Sequence, residues 1–413
     1  MKIGFLSHWY DPEGGAAAGP GTIARALAER GHDVHVVTGY PIYPKGKVFP
    51  EYRMRPYMRE TMRGVTVHRL PIYPSHDTGA ARRMANYASF AATSGLAAPA
   101  LLRSTDVNYV YSTPATAAAG GLSGKWLART PFVLHIQDMW PQTVTASGFL
   151  PDHQSERVER ILNAFCDRVY RSSHAVAVTS PGMQELITDR GVDHAKVHFV
   201  PNWAEETSFR PVPRSDTLAH ELELPDKFTV MYAGNLGEMQ NLTHVVEAAA
   251  LLRDVDDLQF VFVGAGVMES SLRQTAGALT LDNVHFVPSQ PFSRMSDILA
   301  LGDVQLVSLK DVPLYRSTLP SKLQANLAAG RPMIGSLRGD AASVIAESKA
   351  GTVVDPGDAE GLASAVRRLH SLTSAELRAM GQSARLHYET HFSQAHVTDA
   401  LESLLEDAAW RTS

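Results

Sequence analysis

This sequence predicts an α/β protein with two Rossmann-like parallel-sheet domains, on three observations. The chain has 413 residues, enough for two separate hydrophobic cores. A strand, glycine loop, helix and strand follow one another from Lys2 and again from Phe228. Such alternation builds parallel sheets with right-handed crossovers. Between the two runs, Asn202–Pro213 has few apolar residues and Pro201, Pro211 and Pro213 nearby, so the linker is expected there and the boundary after residue 205.

In the first domain Lys2–Ser7 reads as an apolar strand, Thr22–Arg30 as a helix stopped by Gly31, and Val34–Thr38 as the next strand. The loop His8–Gly21 (HWYDPEGGAAAGPG) has four glycines and no bulky residue after Glu13. Small residues let backbone approach a ligand, and the helix start that follows suits phosphate. The spacing is not G-x-G-x-x-G, which argues against a nicotinamide site; a flexible loop without a ligand is the alternative. Met84–Leu102 carries no formal charge over 19 residues, between Arg82-Arg83 and Arg103. Its length approaches a membrane span, but alanine and the polar Asn86, Ser89, Thr93 and Ser94 insert poorly. A helix packed in the domain or lying on a membrane surface is expected. Pro131–Ile136 is a strand, with Gln137-Asp138-Met139-Trp140-Pro141 at the end where open parallel sheets place their chemistry. Asp138 either caps the next helix or faces a ligand; His135, inside the strand, is expected in the core. The chain then passes through Val176–Thr179 and Val197–Pro201.

The second domain repeats the pattern. Phe228–Tyr232 is a strand, Ala233–Gln240 a glycine-containing loop, Asn241–Arg253 a helix, and Leu258–Val263 a strand that leads into Gly264-Ala265-Gly266. Val284–Val287 and Val304–Leu309 continue the sheet, with helices over Ser336–Ala346 and Glu360–Leu369. The most informative stretch is Thr318–Pro332 (TLPSKLQANLAAGRP). Ser317 or Thr318 can cap a helix there, Pro320 is tolerated in its first turn, and Gly330 ends it. Lys322 then faces the positive end of the helix dipole, which costs stability unless an anion sits there. A solvated lysine is the plain alternative. Asp254-Val255-Asp256 has the form of a metal-binding D-x-D, but at the wrong end of the sheet it reads as a solvated turn.

Net charge is −5, distributed unevenly: residues 1–205 are +4 and the remainder −9. Lys45–Arg103 holds 10 basic residues against 3 acidic ones, interleaved with aromatics. A charge run is often only a solvated face; as a binding face it suits anionic lipid headgroups or a phosphorylated lipid, and no nucleic-acid motif accompanies it. The single cysteine, Cys166, fits a reducing cytosol, and the apolar run after Met1-Lys2 is too short for a secretion signal.

Several blocks together resemble the retaining nucleotide-sugar glycosyltransferases of the GT-B architecture, carbohydrate-active family four. The nearest likeness is to bacterial O-antigen and capsule enzymes similar to N-acetyl-L-fucosaminyltransferase. The blocks are PEGG at Pro12–Gly15, RGHDVHVVTGYPIYP at Arg30–Pro44, QDMWP at Gln137–Pro141, PNW at Pro201–Trp203, YAGNLG at Tyr232–Gly237, VGAG at Val263–Gly266 and PSKLQANLAAGRP at Pro320–Pro332. The resemblance implies two domains facing across a cleft. It also implies that the last helix, around Val397–Ala408, returns to the first domain, so the domains become 1–205 with 390–413, and 206–389.

The implied roles follow the motifs. Gly14 and Gly15 lie by the donor diphosphate, and Lys322 holds that diphosphate with Ser321 and the N–H of Leu323. Gly264, Gly266 and the backbone near Gln290 line the nucleotide, and Asp138 sits near the transferred sugar. The family's Glu-x7-Glu falls on Ser317 and Ala325, its diphosphate Arg and Lys on Asn235 and Gln240, and its usual histidine on Gln137. These departures leave more of the diphosphate charge to Lys322. The expected activity is transfer of a sugar, an N-acetylated amino sugar, from a UDP-linked donor to a lipid-linked saccharide, with no metal or cofactor. Arg53, Arg55, Arg59, Arg82 and Arg83 are expected to meet the acceptor or the membrane, at the cytoplasmic face. A nucleotide-sugar 2-epimerase and a non-catalytic nucleotide-binding partner of a transferase remain open.

Overall fold

The computed structural model describes residues 1–76, 79–142 and 152–410. The chain divides into two compact units, Met1–Val200 with the chain from Thr398 onward, and Pro201–Val397. The first boundary falls five residues before the expected one because the 201–206 segment bonds within the second unit. The Ala204 N–H donates to the Tyr388 hydroxyl at 3.2 Å, and Glu206 accepts from Tyr388 at 3.1 Å and from the Gln394 N–H at 2.8 Å.

The first unit holds an eight-stranded sheet of β1 (Lys2–Leu6), β2 (Asp33–Gly39), β3 (Met58–Met62), β4 (Val65–Leu70), β5 (Val107–Ser112), β6 (Phe132–Ile136), β7 (Ala175–Val178) and β8 (Val197–Phe199). Their order is β3-β4-β2-β1-β5-β6-β7-β8. Every pair is parallel except β3–β4, a hairpin that turns at Arg63-Gly64, both with positive φ. The charges of Lys45–Arg103 hid this hairpin: β3 alternates half-buried and exposed residues, with little apolar signal. The longer helices here are α1 (Gly19–Glu29), α2 (Ala80–Leu101), α3 (Asp152–Ser172) and α4 (Pro181–Asp189).

The second unit has β9 (Phe228–Ala233), β10 (Leu258–Val263), β11 (Val284–Val287), β12 (Val304–Ser308), β13 (Met333–Ser336) and β14 (Gly351–Val354). They run parallel in the order β11-β10-β9-β12-β13-β14. Its longer helices are α5 (Thr243–Leu251), α6 (Glu269–Ala278), α7 (Ser321–Ala328), α8 (Asp340–Glu347), α9 (Ala359–His370) and α10 (Ser374–His391). The helix expected from Ser336 begins at Asp340, since Met333–Ser336 is a buried strand paired to β12. One core joins β9, β10 and β12 to α5 and α9 through Tyr232, Phe260, Phe262, Val246, Leu362 and Val366, all buried. The last helix, α11 (Gln394–Trp410), lies mostly in the first unit, where Glu402 meets His32 at 2.7 Å and Arg30 at 2.7 Å.

α2 begins four residues before the expected uncharged segment and ends one residue short of it, and it is packed. Asn86 is buried; its Oδ1 accepts from His8 Nε2 at 2.8 Å and its amide nitrogen donates to the Tyr73 carbonyl at 2.6 Å. Among the described residues no helix is long and apolar enough to cross a membrane.

Candidate functional site

In the second unit, β9 stands between β10 and β12, where the strand order reverses. Open α/β sheets bind ligands beyond the carboxyl ends of such strands. Lys322, at the second position of α7 after β12, reaches across to β9. Its Nζ donates to the Ala233 carbonyl and stands 3.9 Å from the centroid of the Tyr232 ring. Burial pulls its ammonium down to about 7, because desolvation disfavours the charged form. The Tyr232 hydroxyl is fixed by the Asn235 carbonyl at 2.8 Å, so the ring is a firm floor for the cation.

Two glycines make this approach possible. Gly234 has φ +139, and a Cβ there would stand 2.3 Å from Lys322 Nζ. Gly264 has φ +142, and its Cβ would lie 2.0 Å from the Gly234 carbonyl. Side chains rarely adopt such φ values and would separate the two loops. With glycine, the Gly234 N–H donates to Val263 at 2.8 Å, Leu236 N–H to Ala265 at 2.9 Å, and Gly264 N–H to Val287 at 3.0 Å. Gly266 follows, and the Met268 N–H returns to the Leu236 carbonyl at 2.9 Å. Asn235 and Gln240 converge at Gly237, each with an amide atom 2.6 Å from where a Cβ would stand. Gln240 is held by Ser308, whose hydroxyl donates to its carbonyl at 2.6 Å, and its buried Oε1 meets no donor among the described residues.

The start of α7 departs from expectation at three residues. Pro320 itself is the N-cap, with no side-chain cap; Thr318 instead donates to the Leu314 carbonyl at 2.9 Å. The Leu323 N–H, expected at the diphosphate, donates here to the Pro320 carbonyl at 2.8 Å. Ser321 and Lys322, in the first turn, have no intrahelical acceptor for their N–H groups. Gln290 lies past the edge strand β11, half-buried, and its amide donates to the Pro288 carbonyl at 3.1 Å. Ala325 is buried in α7. Asp254 is an exposed partner of Arg367 at 2.8 Å.

In the first unit the order reverses between β1 and β5. There the start of α1, the exit of β5 and the exit of β6 meet. A Cβ on Gly19 would lie 2.7 Å from the Tyr111 hydroxyl, and Thr113 donates to Asp138 Oδ2 at 3.2 Å. Burial raises the Asp138 carboxyl above its ordinary range. Whether Asp138 caps the following helix lies outside the described residues. His135 is in the core as expected, between the Tyr109 hydroxyl at 2.6 Å and the Val200 carbonyl at 2.9 Å, with burial lowering it to about 4.

Gly14 and Gly15 are exposed, and Gly15 lies beside the Tyr43 ring. Their loop is anchored by Glu13, a buried carboxylate that accepts from the N–H groups of Tyr10 at 3.0 Å and of Ile42 and Tyr43, both at 2.7 Å. Desolvation still lifts it to about 6. Sequence reading named neither Glu13 nor Gly234 as a site residue, although both fall in quoted blocks.

The basic stretch is less uniform than its composition. Arg69 is fully buried, pinned by Glu60, the Asp11 carbonyl and the Gly39 carbonyl at 3.2 Å, and so contributes nothing to a surface. Arg53 and Arg55 line a concavity of about 410 Å³ together with Glu51 and Glu60. Arg59 and Arg82 are exposed, whereas Arg83 is half-buried and donates to the Tyr87 hydroxyl at 3.0 Å.

Comparison with known proteins matches both halves. Residues 14–203 fit the family model described as a glycosyl transferase 4-like domain, and residues 215–387 the one described as glycosyl transferases group 1. An Escherichia coli (strain K12) protein named as a colanic acid biosynthesis glycosyl transferase, WcaI, is 34% identical over 340 residues, covering 80% of this chain and 82% of its own. The lipopolysaccharide core biosynthesis glycosyltransferase LpsD of Rhizobium meliloti (strain 1021) is 26% identical, over 63% of this chain and 72% of its own. Among solved structures, Anabaena HepE in complex with UDP aligns with a TM-score of 0.72 at 17% identity, covering 98% of this chain and 100% of that one.

Proposed function

Because the chain belongs to the glycosyl transferases group 1 family and has its GT-B fold, we propose that it moves an N-acetylated amino sugar from a UDP-linked donor to a lipid-linked saccharide, with retention. The setting is surface-polysaccharide synthesis, O-antigen or capsule, at the cytoplasmic face of the membrane. HepE was solved with UDP, and the names of WcaI and LpsD belong to polysaccharide and lipopolysaccharide synthesis; these support the donor class and the setting. The retaining outcome rests on the family resemblance, and the amino sugar on the likeness of the PSK block to the fucosaminyltransferase-like subgroup.

One observation carries the chemistry. Lys322 is a desolvated cation at a helix start, beside two glycine loops and, among the described residues, with a carbonyl and a ring for partners. A diphosphate there gains the ammonium and first-turn N–H groups together. In the reaction the anomeric C–O bond to the diphosphate breaks, and the sugar becomes oxocarbenium-like. Lys322 offsets the charge that develops on the leaving diphosphate. The acceptor hydroxyl attacks from the same face and gives its proton to a leaving phosphate oxygen, so no strong protein base is required. Asp138 positions sugar or acceptor hydroxyls. Arg82 and its neighbours meet the phosphates of a lipid-borne acceptor or of the membrane.

The test is nucleotide release from a panel of UDP-, GDP- and dTDP-sugars, with and without polyprenyl-diphosphate saccharides. Acceptor-dependent release of UDP is expected. Isomerisation without acceptor assigns an epimerase, and silence without any nucleotide binding assigns a non-catalytic partner; either outcome removes the transferase reading.

A further inference from the structure

Beyond the end of β1, where the first sheet reverses its order, the chain runs through Ser7–Tyr10. Each of these four residues has a side-chain polar atom shut away from water that meets no hydrogen-bond partner among the described residues. A buried polar group left so costs stability and calls for a partner. Two of the four can be read chemically. Asn86 donates its amide to the Tyr73 carbonyl, so its Oδ1 faces His8 Nε2 at 2.8 Å. Nε2 therefore carries the hydrogen and Nδ1 the open lone pair. Burial, which draws the imidazole down to about 4, keeps it neutral. Trp9, Tyr87 and Phe90 meet the His8 ring edge to face, with centroids 5.0, 5.5 and 5.1 Å away, and hold its orientation. Trp9 is the complement of His8, since an indole N–H can only donate.

Both residues belong to an aromatic arc along the exits of β1, β2 and β6. Trp9 meets Tyr43 at 6.3 Å, and Gly15 lies beside Tyr43. Tyr87 meets Trp140 at 5.7 Å, two residues after Asp138. Aromatic walls with a few converging polar atoms commonly line a small-ligand site. The unpaired atoms select the ligand's chemistry. A phosphate oxygen cannot donate to His8, an ammonium cannot accept from Trp9, and a trans amide turns its N–H and C=O to opposite sides. A hydroxyl donates and accepts through one oxygen. Two nitrogens on rings 5.0 Å apart can share that oxygen at ordinary hydrogen-bond lengths.

We propose that His8 and Trp9 together bind one hydroxyl of the acceptor saccharide and so select which saccharide is extended. The hydroxyl donates to His8 Nδ1 and accepts from Trp9 Nε1. The inference rests on the proposed transferase reading for calling that saccharide the acceptor. Lys322, assigned to the nucleotide diphosphate, lies in the other unit, so UDP affinity is independent of this pair.

The test follows the tryptophan indole N–H signals of the full chain by nuclear magnetic resonance, with the Trp9 signal identified by its loss in Trp9→Phe. The probes are octyl diphosphate glucose, galactose, N-acetylglucosamine and N-acetylgalactosamine, against inorganic diphosphate and UDP. At least one saccharide should move the Trp9 signal downfield, as a new hydrogen bond does, while diphosphate and UDP leave it in place. Calorimetry with that saccharide should show affinity lowered about tenfold in Trp9→Phe and in His8→Leu, on the order of one hydrogen bond, with UDP affinity at the wild-type level. Among deoxy forms of the saccharide, one should lose the same factor in the wild type and nothing further in Trp9→Phe, a coupling that a merely structural role would not produce. If His8→Leu does not fold, Trp9→Phe carries the test. A Trp9 signal unmoved by every saccharide overturns the proposal, as do wild-type affinity in Trp9→Phe and full additivity with every deoxy form. Saccharide binding at Trp9 by a protein that releases no nucleotide from any donor leaves the site standing and removes the transferase; acceptor-dependent release with an unmoved Trp9 signal does the reverse.

Discussion

Lys322 owes its character to what surrounds it. Its nitrogen has a backbone carbonyl and an aromatic face, and burial brings its proton affinity down to about 7. An anion bound there raises that value again. Donor binding therefore takes up a proton above pH 7, and affinity for a UDP-sugar should fall as pH rises past 7 and level off below it. Calorimetry of UDP-sugar binding in buffers of different ionisation heat checks this; pH-independent affinity from 6 to 9, on the order of that titration range, would contradict it. Replacing Gly234 by alanine forces a Cβ onto Lys322 Nζ in a backbone conformation side chains avoid. The expected cost is ~1–3 kcal/mol of stability, together with lost turnover, read by thermal melts and nucleotide release. Lys322 was legible in the sequence because a cation at a helix start opposes the dipole. The demand for glycine at 234 was not, since it arises from a side chain 88 positions away whose approach only the fold creates.

Among the elements, the 8–21 loop is the best example of a sequence signal understood only in part. Its small residues announced close approach, but the buried Glu13 that ties it to Ile42 and Tyr43 had no periodic signature. The native pKa of Glu13, about 6, lies above its ordinary 4.5. The folded chain therefore holds this proton more tightly than the unfolded one, and Glu13's share of stability declines as pH rises from 4.5 through 6. Glu13→Gln should flatten that part of the denaturation midpoint against pH; an unchanged slope would show that Glu13 does not titrate there. The β3–β4 hairpin was missed for a related reason. Its buried member is a charged residue, Arg69, which joins Glu60 to the carbonyls of Asp11 and Gly39. Removing one partner of such a pair strands the other, so Arg69→Met should lose about 3–5 kcal/mol in urea unfolding. A loss under ~1 kcal/mol, the scale of an exposed pair, would place Arg69 outside the core. β5, β6 and β7 are buried almost throughout, yet β5 (VNYVYS) was passed over because its asparagine, tyrosines and serine look polar in a short run.

Over the whole chain, each unit repeats one plan: a parallel sheet that reverses its order once and gathers its chemistry at that reversal. The doubled pattern and the positions of its glycine loops were readable from alternation alone. The strands β3, β13 and β14 were not, since they are short and acquire their strand character from pairing. A saturating nucleotide, ~100 times its dissociation constant, should stabilise the protein by ~2.7 kcal/mol if it binds only the folded state. The most direct measurement is acceptor-dependent UDP release by the wild type and by Lys322→Ala, both shown folded by circular dichroism. The account predicts release that requires acceptor and falls by roughly 10²–10³ in the variant, the cost of losing one charge-stabilising donor. Near-normal release by Lys322→Ala would remove the lysine from the mechanism and contradict the account at its centre.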